Sequence, residues 1–130
     1  MDITIDTSAL IAVIGNGAGK AKIIEITMGS SLVAPPSVHW EVGNAFSAMF
    51  KRGLSSVDLA KKALQFYQEI PIKFIDVPLS KALELSRSLN IYAYDAYLIQ
   101  CAQQTGTSLL TLDNALRIHA KKSGVEILEL

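Results

Sequence analysis

The sequence predicts an α/β protein organised on a central parallel sheet, and three observations carry that expectation. Short apolar runs alternate with longer stretches of helical periodicity, the pattern of strands joined by crossover helices. The first such run, Ile3-Thr4-Ile5, and a late one, Ser108 to Leu112, both end in a carboxylate, Asp6 and Asp113, where a helix begins. Half of the 130 residues are apolar, enough for one sizeable core and too few for two, so residues 1–130 are expected to form one domain. In an open sheet of this kind ligands bind beyond the carboxyl ends of the strands, which makes Ile3 to Ser8 the stretch around which the chain is organised.

Composition excludes several classes of function. No apolar run approaches the roughly 20 residues that cross a bilayer, and the N-terminus lacks a basic start followed by an apolar segment, so a soluble, cytoplasmic protein is expected. Cys101 is the only cysteine, which rules out an internal disulfide, and His39 and His119 do not stand at zinc-site spacing. Twelve basic residues balance twelve acidic ones, so nucleic-acid binding, if present, must be local or metal-assisted.

The elements follow in order. After the first strand, Ala9, Leu10, Ile11 and Val13 form a helix that runs out at Gly15-Asn16-Gly17-Ala18-Gly19. Gly19-Lys20 suggests a phosphate loop, but Ile14 replaces the first glycine of a P-loop, Ala21 its Ser or Thr, and Lys20 the third glycine of a dinucleotide fingerprint. A helix from Lys20 to about Met28 leads to the strand Ser31-Leu32-Val33-Ala34, closed by Pro35-Pro36. Ser37 is the expected N-cap of a helix whose apolar side carries Val42, Ala45, Phe46, Met49 and Phe50. Ser55 to Asp58 has capping-box character and opens a helix with Leu59, Ala63, Phe66, Tyr67 and Ile70 on its core face. Pro71 ends it, and Ile72 to Val77 reads as a strand with Asp76 left to solvent. Helices over Leu79 to Leu89 and Ala93 to Gln104, the strand Ser108 to Leu112, a helix from Asn114, a stop at Gly124 and an outer strand Val125 to Leu128 complete the chain.

Four acids are directed to one edge of such a sheet. Asp6 and Asp113 follow strands; Glu41 and Asp95 lie in first helical turns. Each has a structural explanation, as an N-cap or as a charge favoured by the helix dipole. Asp95 strains that explanation, because Leu98, Ile99 and Ala102 place it in line with an apolar stripe, where an unanswered charge is costly. Three or four clustered carboxylates raise one another's pKa and call for cations; hard oxygen donors suit Mg²⁺ or Mn²⁺, ions that commonly serve phosphodiester hydrolysis.

Four motifs, Ile5-Asp6-Thr7-Ser8, Trp40-Glu41-Val42-Gly43-Asn44-Ala45, Tyr94-Asp95-Ala96-Tyr97-Leu98 and Leu110-Thr111-Leu112-Asp113, resemble in order and spacing those of PIN domains, particularly VapC-type toxin ribonucleases. The resemblance covers essentially the whole chain. It implies a three-layer α/β/α sandwich with a central parallel sheet. It further implies a metal-dependent endoribonuclease, the toxin of a type II toxin–antitoxin pair, with Asp6, Glu41, Asp95 and Asp113 as catalytic and Mg²⁺- or Mn²⁺-binding residues. Ser8, Asn44 and Thr111 match the supporting polar positions. Asn114 and Ala115 stand where many members carry a basic residue, and Arg117, a turn later, is the substitute RNA contact. Implied partners are RNA and a cognate antitoxin. Phe46, Met49, Phe50, Phe66 and Tyr67 are more apolar surface than a small sheet needs to cover itself, so they read either as the face of a homodimer that also receives an antitoxin segment or as ordinary core. Lys51, Arg52, Lys61, Lys62, Arg117, Lys121 and Lys122 read as a solvated face, with a phosphate-contacting rim as the alternative. Two other readings compete: a catalytically silent PIN-like subunit that binds RNA or protein, and a receiver-like signalling domain, which would want a lysine where Asp113 follows the late strand.

Overall fold

The computed structural model describes residues 1–130. In chain order its elements are β1 (Asp2–Ile5), α1 (Thr7–Ile14), α2 (Lys20–Thr27), β2 (Ser31–Ala34), α3 (Ser37–Lys51), α4 (Val57–Glu69), β3 (Ile72–Phe74), α5 (Leu79–Leu89), α6 (Ala93–Thr105), β4 (Ser108–Leu110) and α7 (Asn114–Lys122). The sheet is parallel in the order β3-β2-β1-β4, with Ile3 opposite Leu32 and Ser108, and Ile5 opposite Leu110. Ile3, Thr4 and Ile5 are fully buried because β1 is central and helices cover both faces. On one face α1 packs with α2, α3 and α4; on the other, α6 lies against β1 and β4 and carries α5. The result is the three-layer α/β/α sandwich. Strand order reverses between β1 and β4, so the crevice at the topological switch point opens beyond Ile5 and Leu110.

Most element boundaries follow local chemistry. Asp6 caps α1 and Asp113 caps α7, while Gly106 ends α6 in the left-handed conformation at φ 66°. Ser56, not Ser55, caps α4, its hydroxyl accepting from Leu59 N–H at 3.2 Å. Ser37 is not a cap: it is the first residue of α3, and Pro36 holds the cap position without a side-chain hydrogen bond.

Several expectations are corrected by neighbours distant in sequence. β3 stops at Phe74 instead of reaching Val77, because β2 runs into Pro35-Pro36, which have no N–H to extend the ladder after Ile75 N–H meets Ala34 O at 2.8 Å. β4 stops at Leu110 because its partner ends there: Asp6 N–H donates to Leu110 O at 3.2 Å and α1 begins at Thr7. The outer strand from Val125 reduces to one parallel bridge, Ile127 to Leu109. On α4 the buried stripe is Ala60, Ala63 and Tyr67, whereas Leu59 and Phe66 stand 59% and 60% exposed. Of the residues expected to form a docking face, Phe46 and Tyr67 belong to the core. An open apolar groove remains beside them, lined among others by Ile11, Met49, Leu54, Leu59 and Phe66.

Candidate active site

Asp6 is the deepest of the four acids, 4% exposed at the end of the central strand. In an extended conformation it caps α1 by accepting from Ala9 N–H at 3.0 Å. The Ser8 hydroxyl bridges both of its carboxylate oxygens at 2.7 and 2.9 Å, and the Thr111 hydroxyl donates to Oδ2 from beyond β4. These hydroxyls also organise the second strand end: Ser8 Oγ accepts from Leu112 N–H and Thr111 Oγ1 from Asp113 N–H, each at 2.9 Å. One carboxylate thus ties together the two loops that flank the switch point. Burial pushes the Asp6 carboxyl above its ordinary 3.8, against the lowering effect of Thr111, Ala9 and Ser8, and the charge of Asp113 adds to the rise. Three donated protons leave about one of the carboxylate's roughly four lone-pair sites unclaimed.

Asp113 is exposed and caps α7, accepting from Ala115 N–H at 2.9 Å and Leu116 N–H at 3.2 Å. Glu41 and Asp95 cap nothing. Glu41, half-buried early in α3, is pushed from 4.5 to about 7, first by burial and then by the charges of Asp6 and Asp95. The Ser37 hydroxyl one turn earlier eases the shift without a well-shaped hydrogen bond, since Ser37 Oγ and Glu41 Oε2 are both buried and unpartnered. Asp95, in the first turn of α6, is raised by burial and by Asp113, with His119 opposing. The couplings close a ring, Asp6 to Asp113 to Asp95 to Glu41 and back to Asp6.

The four acids share an edge, but as they stand no three His, Cys, Asp or Glu side chains reach common metal-ligand separation. The physical reason is visible at two of them: the Asp6 and Asp113 carboxylates are turned back onto the N-termini of their own helices. The donor set nevertheless fits a hard divalent cation. It offers carboxylate oxygens only, stores like-charge repulsion, and includes a buried oxygen, Glu41 Oε2, that nothing in the chain satisfies.

That oxygen is one of five buried side-chain polar atoms without a partner, the others being Thr7 Oγ1, Ser37 Oγ, Arg117 Nε and His119 Nδ1. Every one belongs to this region. Thr7 follows Asp6, Ser37 precedes Glu41 by a turn, Arg117 donates from Nη2 to Thr111 O at 3.3 Å, and His119 faces Asp95 closely enough to lower its pKa. Folded proteins satisfy nearly all buried polar groups, and three of these exceptions, on Glu41, Arg117 and His119, lie on residues that couple to the acids or to the loop carrying Asp113. His119 was missed by sequence reasoning that weighed it only for zinc spacing. The available signal was its place between Leu116 and Ala120 on the buried side of α7. Asn44, one turn beyond Glu41, is exposed, and its backbone carbonyl accepts from Ser47 Oγ at 2.8 Å.

The PIN domain family model matches residues 3–122. The chain belongs to the PIN domain family. PIN domains are in general nucleases, and as nucleases they generally use divalent metals. No curated protein matches this one in sequence. Solved structures share its fold at low identity, each with a TM-score of 0.67. PAE2754 from Pyrobaculum aerophilum is 22% identical, the alignment covering 92% of this chain and 87% of that one. VapBC2 from Rickettsia felis, bound to a DNA fragment from its promoter, is 16% identical over 99% and 98%. VapC20 of Mycobacterium tuberculosis, a Sarcin-Ricin loop cleaving toxin, is 14% identical over 98% and 99%. No helix of this PIN domain is long and apolar enough to cross a membrane.

Proposed function

We propose that this PIN domain is a metal-dependent endoribonuclease, the toxin of a type II toxin–antitoxin pair, acting in the cytoplasm. The observation that carries the reading is the coincidence, at the switch point of the sheet, of a ring of four coupled acids with unpartnered buried polar atoms on Glu41, Arg117 and His119. Asp6, Glu41, Asp95 and Asp113 would hold Mg²⁺ or Mn²⁺. When bound, the ion supplies charge neutralisation of the scissile phosphate and acidification of the attacking water. The chain's own contribution is positional. Ser8 and Thr111 fix the Asp6 carboxylate and, through Leu112 and Asp113 N–H, the loop carrying Asp113. Glu41 presents a desolvated oxygen with no donor of its own, suited to a cation or to a proton from water. Arg117 is anchored to Thr111 O beside the acids, where its remaining N–H groups can meet phosphate. The groove lined by Leu54, Leu59 and Phe66 is the surface assigned to a second copy and to an antitoxin segment.

The catalytically silent alternative draws on one observation, the absence of three acids at ligand separation. A single experiment separates the two. Purified protein is incubated with structured and unstructured RNA, with and without Mn²⁺, beside Asp6→Asn, Asp95→Asn and Asp113→Asn. Cleavage is expected only with the ion and only in the parent. Equal activity in EDTA would remove the metal, and activity unchanged in all three variants would identify a contaminant.

A further inference from the structure

Two aromatic rings that the fold leaves in solvent stand next to the acids in sequence. Trp40, the only tryptophan, immediately precedes Glu41 and is 75% exposed, and Tyr94 immediately precedes Asp95 and is 58% exposed. Trp40 is not a loose surface side chain. The His39 ring meets it edge-to-face at 4.8 Å and 77°, and meets Phe74, itself 41% exposed, at 6.1 Å and 80°. His39 is braced in turn by its Nδ1, 2.9 Å from the hydroxyl of Tyr67, whose ring is part of the core. Tyr67 thus ties His39, and through it one edge of the Trp40 ring, to the core.

The ledge of rings formed by Trp40, His39 and Phe74 owes its position to topology. Phe74 pairs with Ala34 at the carboxyl ends of β3 and β2, and α3 starts just beyond β2. The ledge thus lies at the same sheet edge as the acids, displaced toward β3, while Tyr94 opens α6 against the other face. The aliphatic groove around Leu54 and Leu59 is at the far end of α3, about 20 Å along a 15-residue helix. Balanced charge gives a second argument. With twelve basic residues against twelve acidic, long-range attraction to a polyanion is weak, and base contacts would add affinity to the local phosphate contacts at Arg117 and the ion. Base faces stack on aromatic rings whatever the sequence, and unpaired bases are the ones free to do so.

We propose that Trp40, met at its edge by His39, is a stacking platform for an unpaired base of the RNA substrate. The proposal rests on the ribonuclease reading and adds to it the residue on which a base is held. Trp40 is a positioning residue; it is given no part in bond cleavage.

The single tryptophan makes the test direct. The parent protein in EDTA is titrated with short oligoadenylate and, separately, with a sugar-phosphate chain of equal length lacking bases, while indole fluorescence is followed. Saturable quenching by oligoadenylate alone is expected. In steady-state cleavage with Mn²⁺, Trp40→Ala should raise KM about 5- to 150-fold with kcat nearly unchanged, and Trp40→Phe should restore most of the loss. Circular dichroism confirms that the variants fold. Absent quenching, equal quenching by the abasic chain, or an unchanged KM in Trp40→Ala overturns the platform while leaving the nuclease reading intact. A variant that binds oligoadenylate normally but no longer self-associates shows the ledge to be a protein interface, which also overturns it. Base-dependent quenching by a parent protein that cleaves no RNA sustains the platform and removes the nuclease.

Discussion

Replacing Glu41 by Gln isolates the energetic signature of the acidic edge. The Glu41 carboxyl stands at about 7 against an ordinary 4.5 because burial and the charges of Asp6 and Asp95 all penalise its ionised form. A carboxyl whose pKa is raised by folding adds stability below the unfolded value and loses it as pH rises through the folded one. The loss in the metal-free protein therefore falls between about pH 4.5 and 7. At about 1.36 kcal/mol per pH unit a fully sequestered group would account for about 3 kcal/mol. Glu41 is only half-buried, and solvent screening reduces this to about 1–2 kcal/mol. Glu41→Gln keeps the shape and removes the charge, so in EDTA it should match the parent near pH 4 and melt higher near pH 8. For a chain of this size the gain is about 3 to 6 °C. The assay is thermal unfolding by circular dichroism across that pH range. Mn²⁺ at pH 8 should stabilise the parent more than the variant, since an ion that binds only the folded state shifts the equilibrium by mass action. Parallel pH curves for the two proteins in EDTA would refute the reasoning, because they would show that Glu41 carries no folded-state electrostatic penalty.

Two further perturbations reach other parts of the structure. Thr111→Val removes one donor to Asp6 Oδ2 and the acceptor of Asp113 N–H, a loss of about 1–3 kcal/mol that should grow as pH rises and Asp6 is forced to ionise. Chemical denaturation at two pH values measures it, and an unchanged midpoint would mean that the Thr111 hydroxyl does not hold the strand ends together. Leu59→Ser with Phe66→Ser alters exposed groove residues, so self-association seen by sedimentation should weaken while the monomer's melting temperature moves little. A parent protein that sediments as a monomer at micromolar concentration would remove the homodimer from the proposal.

The sequence by itself determined what depends on neighbours within a few residues. Periodicity placed β2 at Ser31–Ala34 and α5 at Leu79–Leu89, and the acids were readable because Asp6 and Asp113 stand where a strand hands over to a capped helix. Tertiary structure alone decided what depends on residues far away along the chain. The contact between Asp6 and Thr111 spans 105 positions, and no local pattern announces that one carboxylate binds two strand ends. The length of β3 was set by the prolines that end β2, and Leu59 and Phe66 kept a core-like spacing although no element packs over them. His119, 24 positions further along the chain, acquires its place near Asp95 only in the folded protein. Burial and field at a point are sums over the whole folded chain, and for that reason the raised pKa of Glu41 and the unpartnered atoms around it belong to the fold and not to any segment of the sequence.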